Sequence, residues 1–131
     1  MNGPTLQRTA ADCAEELPGA HLEHPFGPDW EVFKVRDKVF MLMTEVPGRP
    51  VVILKAEPRE ALALREHNSH ITRGYHMNKK HWITLEGGDG IDKKLVRELV
   101  TESYRLVVAH LPKAEQPVDP DTYASATRAS R

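Results

Sequence analysis

The residues best equipped for chemistry lie together between Arg73 and Trp82, a stretch that reads Arg-Gly-Tyr-His-Met-Asn-Lys-Lys-His-Trp. Arg73, Lys79 and Lys80 bring fixed positive charge. Tyr75, His76, His81 and Trp82 bring flat rings, and Asn78 brings an amide that both donates and accepts. Cations neutralise phosphates, rings stack on bases, and an amide reads a base edge, so the mixture suits an anionic, flat or hydroxylated partner. Each member also has a plainer role: Trp82 as a core anchor, Met77 as packing, Asn78 as a partner for the loop backbone. The wider segment 65–81 holds four fixed cations and four histidines against the single carboxylate of Glu66. Because the formal net charge of the chain is -1, attraction to phosphate must come from this local asymmetry.

Catalytic readings find less support. The chain has no Gly-rich phosphate loop, no nucleophile elbow and no zinc-binding helix motif. His76 and His81 could work with Glu86 in acid-base chemistry, but no spacing fixes that geometry. The alternative function is a small-molecule-binding protein or enzyme whose pocket is lined by Tyr75, His76, Asn78 and Trp82. A third reading is a protein-interaction module that docks its partner on Glu15 and Glu16 of an acidic first helix. His67, His70, His76 and His81 are loosely spaced, and His21 and His24 lack a third ligand at a recognisable interval, so no metal is expected. No cofactor is expected either. The lone Cys13 falls in a helical pattern and reads as core filler.

The elements that must position these residues follow from hydrophobic period. Leu6, Ala10, Cys13, Ala14 and Leu17 recur at helical spacing, so Pro4 to Leu17 is a helix ended by Pro18-Gly19. Ala20 to Glu23 reads as a short edge strand, followed by a turn over Pro25 to Asp29 whose Phe26 plugs back into the core. Val32 to Arg36, a turn at Asp37-Lys38, and Val39 to Thr44 form a hairpin. A polar loop over Glu45 to Pro50 leads to a strand from Val51 to Lys55. Alternation puts Lys34 and Arg36 on one face of this meander, opposite Phe33 and Val35, so an exposed sheet face can be cationic while the other packs on helices. Pro58 opens a second helix to Glu66, His67 to Thr72 is a connector, and Trp82 to Glu86 is a further strand. Asp89 and Asp92 lie three apart in a capping-box-like arrangement, Asp92 in the glutamate position, at the entry to a last helix over Ile91 to Leu111, which Pro112 ends. Residues 113–131 carry almost no large apolar side chain and read as a disordered tail.

At 131 residues, with 40% hydrophobic and 28% charged, the chain fits a single α+β domain over residues 4–111 with a tail at 112–131. It shows neither a signal-peptide pattern nor an apolar run long enough for a bilayer, so a cytoplasmic, non-membrane protein is expected, monomeric or weakly dimeric.

Several of these residues together resemble the MmcQ/YjbR family of small bacterial proteins: Pro25-Phe26-Gly27-Pro28-Asp29, Val32-Phe33-Lys34-Val35, Lys38-Val39-Phe40, Leu54-Lys55, Gly74 to Trp82, and Ser103-Tyr104. The resemblance runs over roughly Pro4 to Leu111. It implies a CyaY-like, frataxin-like fold with helices on one face of an antiparallel sheet of about five strands. It also implies DNA binding through a double-wing arrangement of strands and loops. Lys34, Lys38, Lys55, Tyr75, His76, Asn78, Lys79, His81 and Trp82 match the family's signature, whereas Asp37 stands where relatives often have Gly. Frataxins hold iron on an acidic ridge of the first helix; Asp12, Glu15 and Glu16 are too sparse a version for iron to be carried over. The sequence reading is therefore a non-catalytic nucleic-acid-binding protein, with DNA favoured. Its interface comprises Lys34, Arg36, Lys38, Lys55, Arg73, Tyr75, His76, Asn78, Lys79, Lys80 and His81.

Overall fold

Helices form where the apolar residues recur at three- and four-residue spacing. In the computed structural model, which describes residues 1–74 and 80–124, α1 spans Gly3–Glu15 and buries Leu6, Ala10, Cys13 and Ala14. Asn2 caps it, its side-chain oxygen accepting from Thr5 N–H at 2.8 Å. Helix α2, Pro58–His67, opens on a proline that has no helical hydrogen bond to lose. Helix α3, Lys93–Ala109, is capped by Asp92, which accepts from Leu95 N–H at 2.8 Å. Asp89, the other carboxylate at this entry, makes no cap. Among the described residues no helix is long and apolar enough to cross a membrane.

The strands are β1 (Ala20–Glu23), β2 (Glu31–Val35), β3 (Lys38–Val46), β4 (Arg49–Lys55), β5 (Ile71–Arg73) and β6 (Trp82–Glu86), in the order β1-β2-β3-β4-β6-β5. All neighbours pair antiparallel, as the α+β reading requires. Strand β5 replaces the expected connector: with Ile71 as its one buried residue it has too little pattern to be read, and it forms because Ile71 pairs Leu85 across to β6. The expected loop over Glu45 to Pro50 is a tight hairpin, Val46 pairing Arg49 around Pro47-Gly48. Gly48 has φ +78°, which suits the second corner of a type II turn with proline at the first.

The helices cover one face of the sheet, where Leu6, Phe33, Phe40, Leu54, Ile83, Leu85 and Tyr104 join a single core. The other face departs from the expected cationic surface. Val32, Leu42, Val51 and Ile53 are buried there, with Trp30, Val39, Val46 and Trp82 packed against them. The cause lies in β3 and β4, whose runs Phe-Met-Leu-Met and Val-Val-Ile-Leu are apolar on both faces.

Phe26 is also corrected. It is 66% exposed, held outward by Pro25, Gly27 at φ +98° and Pro28, and stands edge-on to Trp30 at 6.5 Å. The segment beyond α3 packs as far as it is described. A 3₁₀ turn at Lys113–Glu115 follows Pro112, Val118 and Tyr123 lie on the core, and Tyr123 meets the ring of Tyr104 at 5.8 Å. The buried Arg105 donates to the carbonyl of Pro120 and to Glu102. One aromatic ring and one buried guanidinium thus anchor a stretch that composition alone assigns to a tail.

Candidate nucleic-acid interface

Antiparallel pairing decides where the cations gather. Val35 lies opposite Lys38, Met41 opposite Leu54, Lys55 opposite Trp82, and Arg73 opposite Ile83. These registers bring the ends of β2, β4 and β5 and the starts of β3 and β6 to the same end of the sheet. Lys34, Arg36, Lys38, Lys55, Arg73, Lys80 and His81 therefore share that end, though they are spread over 48 positions of the chain. The opposite end carries Asp29, Glu31, Glu45 and Glu86, with Arg49 paired to Glu86 at 3.1 Å. A nearly neutral chain is thereby basic at one end of its sheet and acidic at the other.

Some of these cations are engaged within the fold. Lys34 Nζ lies 3.1 Å from Glu23 Oε1, while His21 Nε2 lies 2.8 Å from the other oxygen of that carboxylate. The hydrogen bond from Lys34, then that from His21, holds the Glu23 carboxyl below the usual carboxylate range. Arg36 leaves the strand alternation altogether. Its φ of +55° turns it out of β2, so its Nε donates to the Glu115 carbonyl at 2.8 Å instead of sharing a face with Lys34. The hairpin corner is accordingly Arg36-Asp37, one residue earlier than the alternation suggests, and Lys38 opens β3 as an exposed cation. Arg73, Lys80 and His81 are exposed, and Lys55 is half-buried.

The described residues on either side of positions 75–79 are held from the backbone. Gly74 N–H donates to Trp82 O at 2.9 Å, Ala56 N–H to His81 O at 2.8 Å, and Thr84 Oγ1 to Arg73 O at 2.9 Å. A β-carbon on Gly74 would stand 2.5 Å from that of Trp82, so glycine is required for β5 to close on β6. Lys55 and Trp82 share the helix-free face, whereas Arg73, opposite Ile83, shares the helix-covered one. The positive charge thus rings the end of the sheet and does not tile one side of it. Tyr75, His76, Asn78 and Lys79 lie outside the described residues, and so does most of the alternative pocket, of which Trp82 is the described member.

Two features escaped the sequence. The acidic end is assembled from residues far apart in the chain, and no local pattern announces it. Ser103 contributes the other: its hydroxyl donates to Phe40 O at 2.6 Å and accepts from Lys55 N–H at 2.9 Å, tying α3 to the strand end that presents Lys55.

Known proteins share this frame. The YjbR family pattern matches residues 15–106. Escherichia coli O157:H7 YbdF is 43% identical over 116 residues, which is 88% of this chain and 95% of that protein. YjbR of E. coli K12 is 35% identical over 76% of this chain and 84% of its own length. Among solved structures, Deinococcus radiodurans protein DR2400 superposes with a TM-score of 0.72 at 33% identity, covering 79% of this chain and 80% of that one. A Pseudomonas syringae protein does so with a TM-score of 0.68 at 28% identity over 76% of this chain and 97% of its own. With the six-stranded sheet, its three helices and the basic strand ends in place, the match extends over most of the domain: the chain belongs to the YjbR family.

Proposed function

We propose that the chain binds nucleic acid, with DNA favoured, at the basic end of its sheet and without catalysis. The observation that carries this reading is the convergence of five strand termini that brings Lys38, Lys55, Arg73 and Lys80 to one end of a chain whose net charge is -1. Such a local surplus attracts phosphates even where the whole molecule does not. Lys34 and Arg36 belong to a supporting layer, because Glu23 and the Glu115 carbonyl already engage them. Trp82, half-buried opposite Lys55 across the strand pair, packs on the helix-free face beside the contact.

The test is fluorescence anisotropy of labelled duplex DNA, single-stranded DNA and RNA, each titrated with protein at low and at near-physiological salt. Three to five phosphate contacts give a log-log salt slope of about -3 to -5. A preference for duplex DNA that survives moderate salt supports the reading. Absence of binding at low salt, where any phosphate-binding surface is strongest, overturns it.

A further inference from the structure

Strand β1 is one edge of the sheet, pairing β2 on one side only. Its neighbourhood carries two of the three large apolar side chains that are exposed among the described residues, Leu22 at 38% and Phe26 at 66%. An edge of this kind is a template for a further strand unless charge, proline or brevity blunts it. The other edge, β5, has Ile71 as its single apolar residue, and that side chain is buried, whereas β1, though short, ends at Glu23 before Pro25 and leaves Leu22 exposed. We propose that β1 is a self-association edge, across which two copies of this chain pair antiparallel about a two-fold axis at Leu22.

The register follows from backbone direction and charge. Ala20 N–H is turned to Leu17 O at 3.1 Å and so away from β2. Strand alternation then puts the N–H and C=O of Leu22 and His24 on the outer edge as well. Three two-fold registers let these outward groups meet. One sets His21 against His21 and another sets Glu23 against Glu23, like side chains in both cases. The third, centred on Leu22, sets His21 of each copy opposite Glu23 of the other, twice. A histidine opposite a carboxylate can hydrogen-bond to it, as His21 does to Glu23 within one chain at 2.8 Å, whereas two carboxylates repel, so that register is favoured. Leu22 then meets its own counterpart on the face of Phe33 and Val35, and each His24 N–H reaches an Ala20 carbonyl. Lys34, already on Glu23, extends each of the two charge clusters.

A contact of two four-residue strands is smaller than a standard interface of about 800 Å² per partner, so the association is weak and reversible. Closed two-fold pairing of one edge also ends growth at the dimer.

Sedimentation velocity of the full chain from about 10 μM to about 1 mM tests this, with circular dichroism confirming that every variant is folded. The expected result is a monomer–dimer equilibrium that Leu22→Lys abolishes. His21→Glu, which sets Glu against Glu, and Glu23→Lys, which sets His against Lys, should each weaken it by about 10-fold. An equimolar mixture of those two variants restores unlike charges at both positions and should recover the dimer. A chain that stays monomeric to about 1 mM, or a dimer indifferent to Leu22→Lys, overturns the proposal. A mixture that fails to recover association overturns the register. Should Glu23→Lys unfold through its new neighbour Lys34, Leu22→Lys and His21→Glu still decide the matter.

Discussion

The hydroxyl of Ser103 occupies the place in the β3–β4 ladder where the N–H of Lys55 would otherwise meet the carbonyl of Phe40. It accepts from the first at 2.9 Å and donates to the second at 2.6 Å, and the Ser103 side chain is fully buried. A helix side chain thus closes the strand pair at the point where the sheet presents its cations. Ser103→Ala leaves a buried donor and a buried acceptor to find each other by strand movement. The expected cost is about 1–3 kcal/mol in urea unfolding.

Gly74→Ala should be equally informative at the other side of the site. The added carbon would stand 2.5 Å from the Trp82 β-carbon, so the β5–β6 hairpin must splay. We expect a loss of about 1–3 kcal/mol in stability, together with weaker nucleic-acid binding, because Arg73 and Lys80 flank that hairpin.

Lys55→Glu combined with Lys80→Glu should lower affinity for duplex DNA and reduce the salt slope by about two, one for each lost phosphate contact. Unfolding midpoints should stay near wild type. An unchanged slope would place the phosphate contacts elsewhere.

Alkaline stability should report the packed segment beyond α3. Burial first, and the neighbouring Tyr123 second, push the Tyr104 hydroxyl up from 10.0 to about 12. A raised folded value means that the stabilisation is full below pH 10.0 and is lost as pH climbs toward about 12. Unfolding free energy measured across that window, beside a phenolate absorbance titration, tests the sign. Tyr123→Ala should itself cost about 1–3 kcal/mol by removing the ring that covers Tyr104.

Phe26→Ser should leave stability within about 0.5 kcal/mol, whereas Phe40→Ala should cost about 3–5 kcal/mol in the same urea assay. The difference follows from position: Phe40 is fully buried between Phe33 and Tyr104, and Phe26 is 66% exposed.

Much of the fold was legible because its period is strong. The faces of α1 and α3, the β2–β3–β4 meander and β6 all follow from recurring apolar residues, whereas the α3 cap is Asp92, not Asp89 three residues earlier as the capping-box spacing suggests. What stayed hidden depends on contacts rather than pattern. Strand β5 exists through Ile71 against Leu85, Arg36 leaves its face through a positive φ, and the 112–124 segment is anchored by Tyr123 and Arg105 at positions with no local signal. Phe26 was misplaced because an apolar residue between two prolines reads as core until the direction of the loop is known. At the candidate site, Lys38, Lys55, Arg73, Lys80 and His81 were readable as cations or as a charged loop. Their meeting at one end of the sheet was not, since antiparallel register alone decides it. Tyr75, His76, Asn78 and Lys79 fall outside the described residues.

The separation of Lys38, Lys55, Arg73 and Lys80 from Asp29, Glu31, Glu45 and Glu86 gives the domain a permanent electric dipole roughly along its strands. A field that exerts little net pull on a chain of charge -1 still exerts a torque on it. On the proposed reading, the molecule near a polyanion rotates before it docks, so a larger share of collisions arrives lysine-first. On that reading, salt would slow capture partly by screening that alignment.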